Sequence, residues 1–317
     1  MLTSAPTDWA ISVQRLTKQY GSRTVVDRLD IDVPRGAIAG FVGPNGAGKT
    51  TTMAMLLGLV RPSQGDGHVL GEPIDAPARY LPRVGALIES PAFYPSLSGR
   101  ENLRLFATAG GHPTERIEPV LAEVGLLDRD GDRGDDCYRN YSLGMKQRLG
   151  IAAGLLGDPD LLILDEPANG LDPEGVREMR GLLAAMAGSG RTVLVSSHDL
   201  SELEQICDWL VLIDTGRSLY QGPTRELLVD GAGAELAAVP EHAADVDRLR
   251  AALAGDGHAV AVAERGLMVA TADGQPIEAL AACVNHTAFA AGIVLVELTP
   301  RRITLEDQFL TMIGAHR

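Results

Sequence analysis

The chain has 317 residues, of which 45% are hydrophobic and 22% charged, and its net charge is −14. That is the balance of an ordinary globular protein with room for two domains. So acidic a chain argues against nucleic acid as a partner, because phosphate binding needs a basic stripe.

Residues 1–10 lack a basic start followed by an apolar run, so no secretory signal is expected. Residues 11–16 and 25–33, rich in β-branched side chains and separated by a turn near Gly21-Ser22, predict two short edge strands. Residues 37–42 predict a buried strand, 49–57 a helix, 69–73 a hairpin and turn, and 84–88 another buried strand. From residue 89 to 160 helical patterns take over: 101–108, 114–124 and 145–156, with a charged loop at 128–140. Pro119 is expected to distort the second of these helices. Residues 161–164 and 192–196 read as buried strands on either side of a helix at 174–186. The alternation predicts an α/β core with a parallel sheet. An antiparallel edge and an inserted helical subdomain at about residues 89–160 complete it.

Past residue 224 the pattern changes. Strands are predicted at 234–239, 259–263, 267–272 and 293–298, and helices at 243–253 and 276–284. That order resembles an α+β ferredoxin-like module. Thr304 with Asp307 resembles a capping box that opens a last helix, which Gly314 ends. The apolar run at 279–298 is interrupted by Asn285, His286 and Gly292, so it reads as helix then strand and not as a membrane span. Cys137, Cys207 and Cys283 are far apart and form no CxxC pair. They point to a reducing compartment and to neither a disulfide frame nor a zinc site. A cytosolic chain is expected.

Gly43-Pro44-Asn45-Gly46-Ala47-Gly48-Lys49-Thr50 fits GxxxxGK[ST] and lies between a strand and a helix start, the context that phosphate binding needs. Backbone N–H groups of Gly46, Gly48 and Lys49 can surround phosphates there. Lys49 can reach the β/γ-phosphates and Thr50 a Mg²⁺ ion. The expected ligand is ATP or GTP. Asp165 ends a strand of four aliphatics, so it emerges at the sheet edge where ligands bind and can hold Mg²⁺ through water. Glu166 is the candidate general base, and His198, after the strand at 192–196, the candidate γ-phosphate contact. Between these motifs lies Tyr141-Ser142-Leu143-Gly144-Met145-Lys146-Gln147-Arg148, which offers a hydroxyl and a bare N–H at the start of a helix beginning near Met145.

Together these motifs resemble the ATP-binding cassette (ABC) family over about residues 9–225. In that family a segment beginning Ser-Gly-Gly-Gln binds the γ-phosphate of ATP held by the other subunit. Ser142 and Gly144 keep its Ser and second Gly, Leu143 and Met145 replace its first Gly and Gln, and Lys146-Gln147-Arg148 matches its continuation. The resemblance implies an ATPase whose catalytic residues are Glu166, His198 and Lys49. It implies ATP contacts from Gly43, Pro44, Asn45, Gly46, Ala47, Gly48, Lys49, Thr50 and Thr51, from Tyr20 stacked on adenine, and from Ser142 and Gly144. Asn169-Gly170-Leu171-Asp172 matches the segment whose Asp helps couple two sites, which adds Asp172.

Implied metal ligands are Thr50, Asp165 and Glu89, the last standing where most members have Gln. Glu89 with the Ser-Leu-Gly-Met signature resembles cassettes of bacitracin and lantibiotic self-protection and related bacterial drug exporters. The resemblance therefore implies ATP and Mg²⁺ as cofactors, a head-to-tail homodimer and a separate integral membrane permease. It implies a peripheral place on the cytoplasmic face of the membrane and efflux of drugs or antimicrobial peptides. The permease is expected to dock near residues 89–97, where Phe93 and Tyr94 offer aromatic contact area. An importer ATPase or a non-transport ABC ATPase is the alternative. The expected domains are an ATP-binding domain at 1–225 and an accessory module at 226–317.

Overall fold

The computed structural model describes residues 9–88, 92–128, 131–230, 235–263, 265–271, 275–301, 305, 306, 308, 309 and 312. Glu89, Thr304, Asp307 and Gly314 lie outside the described residues. The chain divides into two compact units, Met1–Thr224 and Arg225–Arg317.

The first unit opens with β1 (Trp9–Tyr20), β2 (Arg23–Pro34), β3 (Ile38–Val42), α1 (Lys49–Leu56), β4 (Gln64–Val69), β5 (Glu72–Pro73) and β6 (Val84–Leu87). Then come α2 (Gly99–Gly110), α3 (Ile117–Glu123), β7 (Leu127–Asp128), β8 (Gly131–Asp132) and α4 (Leu143–Leu155). It closes with β9 (Leu161–Leu164), α5 (Pro173–Gly188), β10 (Thr192–Ser197), α6 (Leu200–Glu204), β11 (Trp209–Asp214) and β12 (Arg217–Pro223).

Two sheets form the core of this unit. One is antiparallel, in the order β2-β1-β4-β5; the other has six strands in the order β12-β11-β3-β10-β9-β6. In the six-stranded sheet only β12 runs antiparallel to its neighbour. The residues of β3, β9 and β10 are buried throughout, as parallel strands covered on both faces must be. Register places Val42 beside Ser197 and Leu164 beside Val195. The segments that leave β3, β9 and β10 therefore emerge together at the carboxyl edge of the sheet, the usual ligand edge of such sheets.

Four departures from the sequence reading have local causes. β1 and β2 each run 12 residues, because bulges in their pairing let the ladder continue past polar positions. β11 and β12 were not anticipated: their hairpin turns through Thr215 and Gly216, both at positive φ (46° and 81°), which matches strand twist. The helix expected at 114–124 is irregular at its start: Thr114–Arg116 form a 3-10 turn and α3 proper begins at Ile117, so Pro119 falls in its first turn, where no N–H partner is required. α4 starts two residues before Met145 because the Ser142 hydroxyl accepts the Met145 N–H at 3.2 Å and caps the helix.

Arg100 ties the segment before α4 to its neighbours. Its guanidinium, 16% exposed, bonds Glu118 of α3 (2.6 Å), Asp132 of β8 (2.9 Å) and Asp135, while its N–H donates to the Gly134 carbonyl (2.8 Å). The Arg100 bond holds the Asp132 carboxyl below its ordinary value of 3.8. The Ser98 capping box likewise holds Glu101 below 4.5. A lowered folded pKa adds stability that is complete above the unfolded value and lost as pH falls through the folded one. We therefore expect the urea midpoint to be flat from neutral pH down to about 5 and to fall below about 4. In Arg100→Ala the acid limb, followed by circular dichroism, should be shallower.

α7 (Thr224–Asp230) spans the division between the units. The second unit continues with β13 (Glu235–Pro240), α8 (Val246–Gly255), β14 (Val260–Val262), β15 (Leu267–Ala270), α9 (Ile277–Ala290) and β16 (Leu295–Arg301). Its sheet is antiparallel throughout, in the order β14-β15-β13-β16. Leu249, Leu253, Leu280 and Val284 of the two helices close a core on Leu236, Leu267 and Val269. α9 runs six residues past its expected end at 284, because Asn285 and His286 sit on its exposed face and do not interrupt it. Among the described residues no helix is long and apolar enough to cross a membrane.

Candidate nucleotide site

The loop after β3 takes its shape from two glycines. Gly46 and Gly48 sit at φ 83° and 103°, a conformation that suits glycine, and a side chain at Gly48 would meet the Val25 carbonyl at 3.0 Å. The Ala47 N–H closes back on the Pro44 carbonyl (3.1 Å), and the Gly216 N–H anchors the Ala47 carbonyl (3.0 Å). The first intrahelical bond of α1 runs from the Thr52 N–H to the Gly48 carbonyl (2.9 Å). The preceding N–H groups of the first turn are thus available to a ligand.

Lys49 is only 6% exposed although it carries a charge. Its Nζ donates to the Gly43 carbonyl at 2.7 Å and lies 3.5 Å from Glu166 Oε1. A buried ammonium beside a ring of N–H groups suits a polyanion. At the position a Gly46 Cβ would take there is nothing within 4 Å, which leaves the loop open on that side.

The carboxylates come from the end of β9. The Asp165 N–H is held by the Leu87 carbonyl (2.8 Å), its Oδ2 accepts from the Thr50 hydroxyl (2.7 Å), and its Oδ1 accepts from the Ser196 hydroxyl (2.5 Å). Glu166 stands at φ 47°, a left-handed conformation for a residue with a side chain, and its N–H donates to the same Ser196 hydroxyl (2.9 Å). Its Oε2 lies 3.1 Å from His198 Nδ1. Lys49, Thr50, Asp165, Glu166 and His198 are thus gathered at one edge, from two strand ends and one helix start. Among the described residues no group of three His, Cys, Asp or Glu side chains is placed to hold a metal. Thr50 and Asp165 are hard oxygen donors, and Mg²⁺ bound to a nucleotide needs only one or two protein ligands because phosphates and water supply the rest.

Ser142, Gly144 and Asp172 are placed elsewhere. They line a groove with Gly125, Arg133 and Arg148, and the Asp172 carboxylate caps α5 by accepting the Gly175 N–H (2.8 Å). No hydrogen bond or ion pair among the described residues joins them to residues 43–51. Gly144 has no internal reason to be glycine: its φ is ordinary, and the nearest atom to an added Cβ is Leu171 Cδ2 at 3.8 Å. Tyr20, 50% exposed at the end of β1, carries Lys18 Nζ 4.9 Å from its ring centre.

Phe93 departs from expectation. It is 6% exposed and packs between Phe106 and Tyr138, with ring centres 5.0 and 5.1 Å away, so it offers no free contact area, whereas Tyr94 is 60% exposed. Sequence reasoning missed Ser196, whose partners show only once β10 is set in register beside β9.

Residues 26–169 match the family profile described as ABC transporter. The bacitracin transport ATP-binding protein of Bacillus licheniformis is 47% identical over 216 residues, 67% of this chain and 69% of its own length. This chain belongs to the ABC transporter family. A Nod factor export ATP-binding protein of Ralstonia nicotianae is 36% identical over 308 residues, 96% of this chain and 94% of its own. The solved structure of cbiO1 from Clostridium perfringens, part of an ABC transporter complex, matches with a TM-score of 0.63 at 27% identity, over 71% of this chain and 92% of that one. The α/β architecture is that of ABC ATPase domains, and the chain is an ATPase of that family, which binds ATP and couples its hydrolysis to transport.

Proposed function

We propose that this chain is the ATP-hydrolysing subunit of a bacterial ABC exporter, driving efflux of drugs or antimicrobial peptides through a separate membrane subunit. Relatives named for bacitracin transport and for Nod factor export favour export over import. The observation that carries the reading is the gathering of Lys49, Glu166 and His198 at one edge.

Lys49 and the N–H groups of the loop hold the β- and γ-phosphates, residues 43–51 surround them, and Tyr20 stacks on the adenine. Mg²⁺, held by Thr50 and Asp165, would supply charge neutralisation on the phosphates. Glu166 takes the proton of the attacking water, and His198 holds that carboxylate in place through its Nδ1 contact. Glu89 is proposed as a further oxygen ligand; unchanged turnover and Mg²⁺ dependence in Glu89→Ala would remove it.

Ser142 and Gly144 serve a second copy. They form no hydrogen bond with their own phosphate loop, and among the described residues nothing requires glycine at 144. Both facts support a head-to-tail dimer in which each chain closes the other's site, with Asp172 at the junction. Residues 1–225 form the ATP-binding domain, with a helical subdomain at about 89–160. Residues 226–317 form an accessory module, and the strand order β14-β15-β13-β16 supports its ferredoxin-like assignment. A permease docks on the helical subdomain at Tyr94, Leu105 and Phe106, exposed apolar residues joined through Asn102, whose side-chain oxygen accepts the Tyr94 N–H. This puts the chain on the cytoplasmic face of a membrane.

The test is to express Glu166→Gln, add ATP, and measure its mass and the proteins purified with it. A dimer bound to one integral membrane protein is expected. A monomer with no membrane partner overturns the reading.

A further inference from the structure

We propose that the Ser196 hydroxyl is a positioning group that holds both carboxylates of the site at once. The inference rests on the reading that Asp165 and Glu166 serve Mg²⁺ and the attacking water.

Ser196 is 0% exposed in the parallel sheet, where a hydroxyl must find partners within the protein. Both of its partners belong to the site. The Glu166 N–H can only donate, so the hydroxyl accepts from it at 2.9 Å. The single hydroxyl hydrogen then goes to Asp165 Oδ1 at 2.5 Å. Register explains why this residue can do so: β10 lies beside β9 with Val195 opposite Leu164, which puts the next residue of each strand side by side. The neighbouring Ser197 hydroxyl is turned away and accepts the Asp199 N–H at 2.9 Å.

Each bond constrains a different part of the chemistry. The bond to Oδ1 fixes the plane of the Asp165 carboxylate, so that Oδ2 stays on the Thr50 hydroxyl at 2.7 Å. The bond from the Glu166 N–H pins that residue at φ 47°, a backbone state that persists only when its surroundings hold it. That state aims the Glu166 carboxylate between Lys49 Nζ at 3.5 Å and His198 Nδ1 at 3.1 Å. Removing the hydroxyl frees Asp165 to turn and leaves a half-buried N–H without its partner at the catalytic base. One small side chain would thereby keep the metal-binding and water-activating groups in register.

The test uses two variants of the full chain that add the same bulk, Ser196→Thr and Ser196→Val, and differ only in the hydroxyl. Ser196→Val should turn over ATP about 30-fold more slowly than Ser196→Thr, with KM for ATP within about 2-fold. A second readout is equilibrium binding of ATP with and without Mg²⁺. The tightening that Mg²⁺ produces should survive in Ser196→Thr and fall by about 5-fold in Ser196→Val. Equal kcat and equal Mg²⁺ effect in the two variants would overturn the proposal. So would a lower melting temperature for Ser196→Val with both readouts unchanged, the mark of a packing role. If neither variant folds, Ser196→Ala is read against wild type by the same two measurements. Failure of the wild-type chain to hydrolyse ATP would instead overturn the parent reading.

Discussion

Replacing Glu166 with Gln should cut ATP turnover by about 10²–10³-fold and leave ATP binding intact, since a positioned general base contributes that much. The geometry separates the two properties. Lys49 Nζ keeps its bond to the Gly43 carbonyl, and the glycines of the loop keep their φ, so the groups proposed to hold phosphate are untouched. What is lost is an acceptor for a proton. Gln has nearly the same shape and can still face His198, so the protein should remain folded. Phosphate release and equilibrium binding of a fluorescent ATP analogue measure the two properties independently. Unchanged release in Glu166→Gln would assign the base to another group.

Gly144→Asp is expected to abolish turnover without lowering the melting temperature. The groove leaves 3.8 Å between an added Cβ and its nearest neighbour, so the chain itself can take the side chain. Gly144 is also the second residue of α4, where a carboxylate suits the helix dipole. Placed against a partner's ATP, the same carboxylate would repel the γ-phosphate.

A mixing experiment makes the shared site visible. Lys49→Ala lacks a working phosphate loop and Gly144→Asp a working signature, and each is expected to be inactive alone. In a mixed dimer the loop of the second meets the signature of the first, and one intact site is rebuilt. Half of random pairs are mixed and each holds one site of two, so equal mixing should restore about a quarter of the wild-type rate. No recovery in a mixture shown by mass to contain mixed dimers would mean that each chain closes its own site.

The site was more legible in the sequence than the sheet around it. The phosphate loop, Asp165, Glu166 and His198 are written as local patterns, each at the end of a strongly apolar strand, and the structure places them together. Ser196 was hidden because a serine inside a strand carries no motif; only the register of β10 on β9 shows its partners. β12 was hidden for a different reason. Arg217-Ser218-Leu219-Tyr220-Gln221-Gly222-Pro223 has little apolar alternation, and its strand form is set by pairing with β11 and by the Gln221 side chain accepting the Asp32 N–H at 2.9 Å. Phe93 was misjudged because an aromatic residue in a loop reads as exposed until Phe106 and Tyr138 are seen to enclose it. Helix ends shifted by a few residues wherever a cap such as Ser142, and not apolar spacing, set the start.

The left-handed backbone of Glu166 sets stability against activity at a single position. A residue with a Cβ at that φ costs about 1–2 kcal/mol relative to glycine. Between two inactive proteins, Glu166→Gly and Glu166→Ala, the glycine form should therefore be the harder to unfold, although glycine ordinarily weakens a chain. Selection for thermal robustness alone would push this residue towards glycine, and only a need for turnover would keep a glutamate there.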